Sequence, residues 1–312
     1  MNRRPLRAVT KEEIATYDRD GAVCLRSILS QDWIERMRNA CERVLAAPQD
    51  YSLLKTDRPE LLGDERLRKE LTNIYNPDRL AQRRKSGFLS LKFMWLVDDD
   101  FRAYVHESPV AEIVGEVIGA NEVRFFWDQI FAKEPKCREE TMWHNDMAAW
   151  PLDGDMIPSF WVPFTPITDE NSLEVVAGTH KDRTVYWPIA GANARALAAD
   201  HPPNRPPWIN YNERRGDPNV RFLKWSMQPG DALVLHPRSY HYSAGNYHDT
   251  QTRIALTTRW VGEDIVWDWR PECLSIPGMT PETMVRGTPP RGDLFPLCWT
   301  RPSRAPGRVA AE

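Results

Sequence analysis

Apolar residues recur at helical spacing in the first third of the chain and at strand spacing after it. Thr10-Lys11-Glu12-Glu13 has the form of a capping box, a hydroxyl answered by a carboxylate three residues on, and predicts a helix to about Asp18. Asp20-Gly21 reads as a turn and Ala22-Val23-Cys24-Leu25 as a short strand. Ser30 predicts the cap of a second helix through Trp33, Met37, Ala40, Val44 and Leu45, stopping before Pro48. Residues 48–87 are charge-rich and predict one short helix among surface loops, with Arg83-Arg84-Lys85 on a solvated face. Phe88 to Trp95 alternates, placing Leu89, Leu91, Phe93 and Trp95 on one face of a predicted strand. Ser108-Pro109 predicts the cap and first position of a helix reaching about Gly119.

From Asn121 the spacing changes. Val123 to Lys133, Ser159 to Phe164, Leu173 to Val176, Phe222 to Met227, Ala232 to His236 and Arg253 to Trp260 are short, β-rich and separated by turn residues. Many short strands between turns predict a sandwich or barrel. Residues 185–220 are rich in Pro, Asn and Arg without periodicity and predict an insertion loop, placed as a lid, since long loops in compact domains are usually functional or disordered. Trp187, Trp208 and Tyr211 in this insertion and Trp269 in the Pro-rich tail are candidate contributors to a substrate pocket that both segments border. The expected organisation is one domain over 1–312. Residues 1–120 give helical support and early strands, 121–265 the β core with its insertion, and 266–312 a Pro-rich C-terminal segment.

Composition narrows the function classes. With 41 basic and 44 acidic side chains the net charge is −3, which gives no bulk attraction to nucleic acid. No run approaches about 18 apolar residues, so no membrane span is expected. The N-terminus is basic but leads into no apolar segment, so no signal peptide is expected. Five scattered cysteines without a C-x-x-C pair read as reduced thiols of a cytoplasmic protein. The 26 prolines disfavour long helices, and tryptophans in such number, 13, often line pockets as well as cores.

The candidate chemistry centres on Met142-Trp143-His144-Asn145-Asp146-Met147-Ala148-Ala149-Trp150. In a strand, residues two apart share a face, so His144 and Asp146 project together. An imidazole and a carboxylate are two thirds of the facial triad that holds non-haem Fe(II). A third ligand must come from a distant strand. His236 and His241, both downstream of the Pro229-Gly230-Asp231 turn, are the candidates.

His144-x-Asp146, then His241-Tyr242-Ser243, then Arg253 resembles the pattern of the phytanoyl-CoA dioxygenase-like Fe(II)/2-oxoglutarate oxygenases. The resemblance extends to the segment from Thr10 to Ile28 and to Asp128-Gln129-Ile130-Phe131-Ala132-Lys133. It also takes in Asp169-Glu170-Asn171-Ser172-Leu173, followed by Ala177-Gly178-Thr179-His180. A glycine after Asn171 and a proline at Ala177 are missing from the usual pattern, which affects a turn and no ligand.

The resemblance implies a mainly β fold with flanking helices around a double-stranded β-helix (jelly-roll, cupin-like) core. It implies that His144, Asp146 and His241 bind Fe(II), leaving positions for 2-oxoglutarate and O2. It further implies that Arg253 pairs with the distal carboxylate of 2-oxoglutarate, with Ser243 adding a hydroxyl and Lys133 a cation. Arg259, on the face of Arg253, is the rival carboxylate partner. In ectoine-hydroxylase-like members the equivalent of Gln129 faces substrate, and Trp150 would share the triad's face if its strand ran on. Halogenating relatives have Gly or Ala where Asp146 stands, so its carboxylate implies hydroxylation or another oxidation. The expected partner is a small-molecule metabolite, and the expected state is monomer or homodimer. The competing readings are a cupin-like metal-binding or sensing protein without turnover, and a metal-dependent isomerase or hydrolase on the same core.

Overall fold

The computed structural model describes residues 1–188 and 205–302. Helix α1 (Lys11–Asp20) opens on the predicted box: the Thr10 hydroxyl accepts from the Glu13 amide at 3.1 Å, and the Glu13 carboxylate accepts from the Thr10 amide at 2.8 Å. It ends at Gly21, whose φ of 77° suits glycine and where a Cβ would lie 2.4 Å from both His180 and Ser239. Helix α2 (Gln31–Ala46) buries the stripe Trp33, Ile34, Met37, Ala40, Cys41 and Val44. It starts after Ser30 as predicted, although the Ser30 hydroxyl makes no capping bond.

Residues 48–87 hold two full helices where one short helix is predicted. In α3 (Glu65–Tyr75) the Asp64 carboxylate caps Leu67, and in α4 (Pro77–Ser86) the Asn76 side chain caps Arg79, with Pro77 at the first position. Both caps are visible in the sequence, and the dense charge between them hides the apolar stripe. The basic triplet lies largely on the solvated face as expected, with Arg84 and Lys85 exposed and Arg83 half-buried, and Arg84 donates to the Leu45 and Ala46 carbonyls at the end of α2. Helices α5 (Asp99–Glu107) and α6 (Val110–Ile118) follow, and the Ser108 hydroxyl accepts from Val110 at 3.4 Å.

Strand β2 (Phe88–Lys92) stops short of the predicted Trp95. Phe93 turns to φ 64° and the chain enters a 3-10 turn, Met94–Leu96. The cause is Asp128, a buried carboxylate that accepts from the Met94 and Trp95 amides at 2.7 and 2.8 Å. Burial pushes Asp128 up to about 7 against these bonds.

The β core is two antiparallel sheets that do not close into a barrel. The larger comprises β1 (Ala22–Leu25), β3 (Glu122–Lys133), β6 (Ser159–Pro163), β9 (Ala232–Leu235), β11 (Arg253–Val261) and β13 (Leu297–Thr300), in the order β1-β9-β6-β11-β3-β13, with β2 also on β3. The smaller comprises β4 (Thr141–His144), β7 (Leu173–Val176), β8 (Phe222–Lys224) and β10 (His241–Ser243), in the order β4-β10-β7-β8. A separate pair, β5 (Leu152–Asp153) and β12 (Val266–Trp267), lies off both.

The larger sheet is buried on both faces, so its strands read as near-continuous apolar runs. Ile130, Ala132, Ile254 and Leu256 form one cluster with Trp33, Met37 and Val114 of the helices. Trp161, Leu233, Leu235 and Ala255 face Leu173 and Val175 of the smaller sheet. This is the double-stranded β-helix expected from the resemblance.

Two local features set what faces the interior. The β3–β11 register shifts between Arg259, opposite Trp127, and Trp260, opposite Phe125, so Phe126 is an extra residue. Trp127, Gln129, Phe131 and Lys133 therefore share the inner face with Thr257 and Arg253. Plain strand alternation would put Phe125 beside Trp127 and Phe131, but it turns outward onto Trp95 and Trp260, with ring centroids 5.2 and 5.0 Å away.

The second feature concerns the insertion. Trp208, Ile209, Tyr211 and Val220 pack with Trp143, Val176, Tyr240 and Tyr242 on the back of the smaller sheet, and the Trp143 indole donates to Asn212 at 3.1 Å. Side chains of neighbouring strand residues point oppositely, so this surface faces away from His144. Trp208 and Tyr211 thus cover the back of the sheet and do not border the pocket. The middle of the insertion, and with it the lid reading and the end of the C-terminal segment, lies outside the described residues.

Candidate active site

His144 is the last residue of β4, and the chain does not continue as a strand. Asn145 stays extended at φ −117° and ψ 144°, then Asp146 opens a 3-10 turn to Ala148. The Asn145 side chain accepts from Ala148 at 3.0 Å and Met147 donates to Pro237 at 3.1 Å, which pins the turn. The expectation that one strand carries both ligands is corrected to a strand ligand followed by a turn ligand. One extended residue is enough to keep them on the same side, with His144 Nε2 3.7 Å from Asp146 Oδ1. His241, first in β10, is the cross-strand partner of His144, and their ring centroids are 4.2 Å apart. One ligand atom from each of the three lies within 4.8 Å of the others.

The surroundings direct the right atoms inward. His144 Nδ1 lies 2.7 Å from the Met142 carbonyl and His241 Nδ1 3.0 Å from the Ser239 carbonyl. A carbonyl only accepts, so both Nδ1 atoms carry the proton and both Nε2 lone pairs are left for a metal. Ser159 donates to Asp146 Oδ2 at 3.1 Å, leaving Oδ1 on the histidine side. Burial and His241 push His144 down to about 4, so the imidazole is neutral at physiological pH. Burial works to raise Asp146, but His241, Arg259, His144 and Ser159 together hold it below the ordinary carboxylate value. Two imidazole Nε2 atoms and one carboxylate oxygen on one side are the donor set of a 2-His-1-carboxylate iron site.

A cationic cluster lies along β11 from the triad. Arg253 and Lys133 are cross-strand partners. Arg253 donates to Ser243 Oγ at 2.7 Å and to the Asn171 carbonyl. Lys133 donates to the Ala244 carbonyl at 2.7 Å and contacts the Ser243 carbonyl and hydroxyl at 3.3 and 3.4 Å. Both cations are buried, and among the described residues no carboxylate pairs with either. Burial and then Arg253 push Lys133 down to about 7, and burial pushes Arg253 down to about 10. Buried cations without an acid are costly, and a bound carboxylate removes that cost. The three residues named for the 2-oxoglutarate end are therefore brought together.

The remaining candidates separate. Gln129 lies on the inner face, donating to Ser90 Oγ at 2.8 Å and accepting from Arg259 at 3.1 Å. Trp150 stands beyond the 3-10 turn, so the strand continuation that offered it to a substrate does not exist. Its ring is buried edge-on to Phe126 at 6.1 Å. Arg259 is six residues from Arg253 along β11 and contacts neither Ser243 nor Lys133 among its hydrogen bonds. His236, the rival ligand, accepts from the Arg238 amide through Nδ1 and faces Asp155 at 3.5 Å through Nε2, outside the triad.

Two contributors carry no sequence signal. Ser159 merely begins an apolar strand. Arg270 braces the ligand turn by donating to the Met147 and Trp150 carbonyls at 3.1 and 2.7 Å from 120 residues away.

A family model described as phytanoyl-CoA dioxygenase matches residues 17–255. A search of curated proteins returns no match. The chain is similar to the crystal structure of the non-haem α-ketoglutarate-dependent carbocyclase SnoK from nogalamycin biosynthesis, at 19% identity and TM-score 0.64 over 93% of this chain and 97% of that one. It is similar to the epimerase SnoN in complex with Fe3+, α-ketoglutarate and nogalamycin RO, at 20% identity and TM-score 0.64 over 93% and 98%. It is also similar to EctD from S. alaskensis with 2-oxoglutarate and 5-hydroxyectoine, at 18% identity and TM-score 0.55 over 91% and 86%. At these identities the likeness is one of fold.

Proposed function

The chain belongs to the phytanoyl-CoA dioxygenase family, and from that premise we propose that it hydroxylates, or otherwise oxidises, an unactivated C–H bond of a small-molecule metabolite. It is an Fe(II)/2-oxoglutarate-dependent oxygenase, using O2 and releasing succinate and CO2. The observation that carries the reading is the pairing of two features on one interior face. The His144–Asp146–His241 donor set is one, and the acid-free cluster of Arg253, Lys133 and Ser243 is the other. A metal-binding or sensing protein, or a hydrolase on this core, has no use for the second feature.

Fe(II) held with 2-oxoglutarate and O2 supplies an oxidant able to take hydrogen from a C–H bond. The protein's own residues do the rest. His144 and His241 present Nε2 because Met142 and Ser239 hold their Nδ1 protons. Ser159 and the braced turn orient the Asp146 carboxylate. Arg253 and Ser243 offer donors to a distal carboxylate, and Lys133 adds charge at the same end. The carboxylate at Asp146 occupies the position that halogenating relatives leave open, which favours oxidation over halogenation.

Ring closure or epimerisation is the second reading, favoured by the likeness to a carbocyclase and an epimerase. Residues 1–312 are read as one oxygenase domain, monomeric or homodimeric, acting in the cytoplasm on a small molecule and not on nucleic acid or a membrane. Among the described residues no helix is long and apolar enough to cross a membrane.

The test is succinate release by purified protein with Fe(II), ascorbate and 2-oxoglutarate across a substrate panel, with product masses read alongside. Succinate formation dependent on both Fe(II) and O2, with a product heavier by one oxygen, is expected. Loss of two hydrogens, or no mass change, selects the second reading. Absence of succinate together with absence of anaerobic 2-oxoglutarate binding overturns both.

A further inference from the structure

Arg259 is the buried charge that the proposed chemistry leaves unused. It lies on β11, cross-strand to Ser159 on one side and to Trp127 on the other. Ser159 is the residue that donates to the ligand Asp146. Arg259 is therefore level with the metal ligands. Arg253 lies six residues away on the same strand, about 20 Å at roughly 3.4 Å per residue. Arg253 bonds Ser243 and Asn171 and Arg259 bonds Gln129 and Thr257, so the two guanidiniums have separate partners on the same strand.

Arg259 is 4% exposed, and its guanidinium is poorly satisfied. Its Cζ sits over the Trp127 ring, 3.9 Å from the centroid, and 5.9 Å from the centroid of Trp150. One terminal nitrogen donates to Gln129 at 3.1 Å, the other has only a 3.5 Å contact to the Thr257 carbonyl, and Nε has no partner. Asp146 and Asp128 act on it electrostatically, yet burial prevails and pushes it down to about 10. Among the described residues no carboxylate forms an ion pair with it. The charges of Asp146 and bound 2-oxoglutarate are met by the metal and Arg253, which leaves Arg259 in excess. A buried guanidinium with an unpartnered Nε is a fork for a planar two-oxygen anion.

We propose that Arg259, aligned by Gln129 and stacked on Trp127, is the specificity-determining residue that binds a carboxylate of the substrate and so sets which C–H bond faces the metal. The proposal rests on the oxygenase reading above. It assigns the substrate to anionic, carboxylate-bearing small molecules, and it gives Gln129 the role of holding the fork in addition to contacting substrate.

The experiment uses the full chain with Fe(II) and 2-oxoglutarate under argon. Benzoate, phenylacetate and indole-3-acetate are titrated against their primary amides, and binding is read from the change in the charge-transfer absorption of the protein–Fe(II)–2-oxoglutarate complex. The wild type is expected to bind at least one carboxylate roughly tenfold or more tighter than its amide, the scale of a charged hydrogen-bonding group. Arg259→Gln is expected to abolish that preference while the 2-oxoglutarate band persists with unchanged affinity. If Arg259→Gln fails to form the band, Arg259→Lys takes its place, keeping charge but losing the fork, with a roughly tenfold loss of preference expected. No carboxylate preference in wild type, or an unchanged preference in the variant that retains the band, overturns the proposal. Failure of wild type to form the band overturns the oxygenase reading itself.

Discussion

His144 and His241 are cross-strand partners, and each gives its Nδ1 proton to the carbonyl two residues before it in its own chain, Met142 and Ser239. The backbone thereby sets both tautomers. No separate carboxylate is needed to aim either ring. The Asp146 carboxylate, by contrast, is aimed by a side chain, Ser159.

Asp146→Ala is expected to remove one of three metal ligands while leaving the fold intact, since the turn is pinned by Asn145 and Arg270. Fe(II) affinity should fall by at least about 100-fold and succinate release should cease, because two imidazoles alone hold the ion poorly. Titration calorimetry with metal, beside the succinate assay, checks this. Unchanged turnover would remove Asp146 from the triad.

Ser159→Ala tests the outer contact. The carboxylate loses its one side-chain donor and gains freedom to rotate. Metal affinity should drop by roughly 10- to 100-fold, with a change in melting temperature too small to explain it. Equal affinity in both proteins would mean that packing alone orients Asp146.

Lys133 gives a pH dependence with a definite sign. Its folded value is pushed from 10.5 down to about 7, so between those pH values the unfolded chain binds more protons than the folded one. Stability of the metal-free protein should rise from pH 7 towards pH 9. The penalty is full below pH 7 and at most about 5 kcal/mol, at 1.36 kcal/mol per unit. Lys133→Met should flatten that rise and weaken 2-oxoglutarate binding. Urea midpoints at pH 6, 7, 8 and 9 for both proteins measure it, and parallel profiles would show that Lys133 carries no such penalty.

Tyr211→Ala tests where the insertion packs. Its ring lies 5.7 Å from Trp143 and 5.1 Å from Tyr240 on the back of the smaller sheet. The loss should be about 3 kcal/mol of stability, as for other buried aromatic truncations. Affinity for 2-oxoglutarate should be unchanged, because the surface faces away from His144. A large loss of 2-oxoglutarate binding at full folding would place the segment at the mouth instead.

Residues whose chemistry is local were legible in the sequence. The Thr10 box depends on a cap three residues away, and the helix after Ser30 and the strands read from Leu173 to Val176 and from Arg253 to Trp260 depend on spacing. So did the core of the site, because His144-x-Asp146 and the run from His241 to Arg253 are short patterns that a family resemblance joins. What failed were readings that extended a local pattern beyond its cause. Phe88 to Trp95 alternates throughout, but Asp128, brought in by β3, captures the Met94 and Trp95 amides and ends the strand. Trp150 follows the alternation from His144 only on paper, since Asn145 and Pro237 turn the chain first. Phe125 changes face because one extra residue, Phe126, sits opposite no partner.

The sequence by itself determined the donor types, the two-residue step between two ligands and the amphipathic supports. Only the tertiary structure decided that Ser159 holds Asp146, that Arg253 and not Arg259 meets Ser243, and that Arg259 stands level with the metal ligands. The first two are contacts between segments 13 and 10 residues apart that the chain folds together, and the third rests on the antiparallel register that sets Arg259 of β11 opposite Ser159 of β6. A register is the outcome of packing two whole faces together, so a slip of one residue would exchange every inner side chain for an outer one. No stretch of the chain carries that information alone.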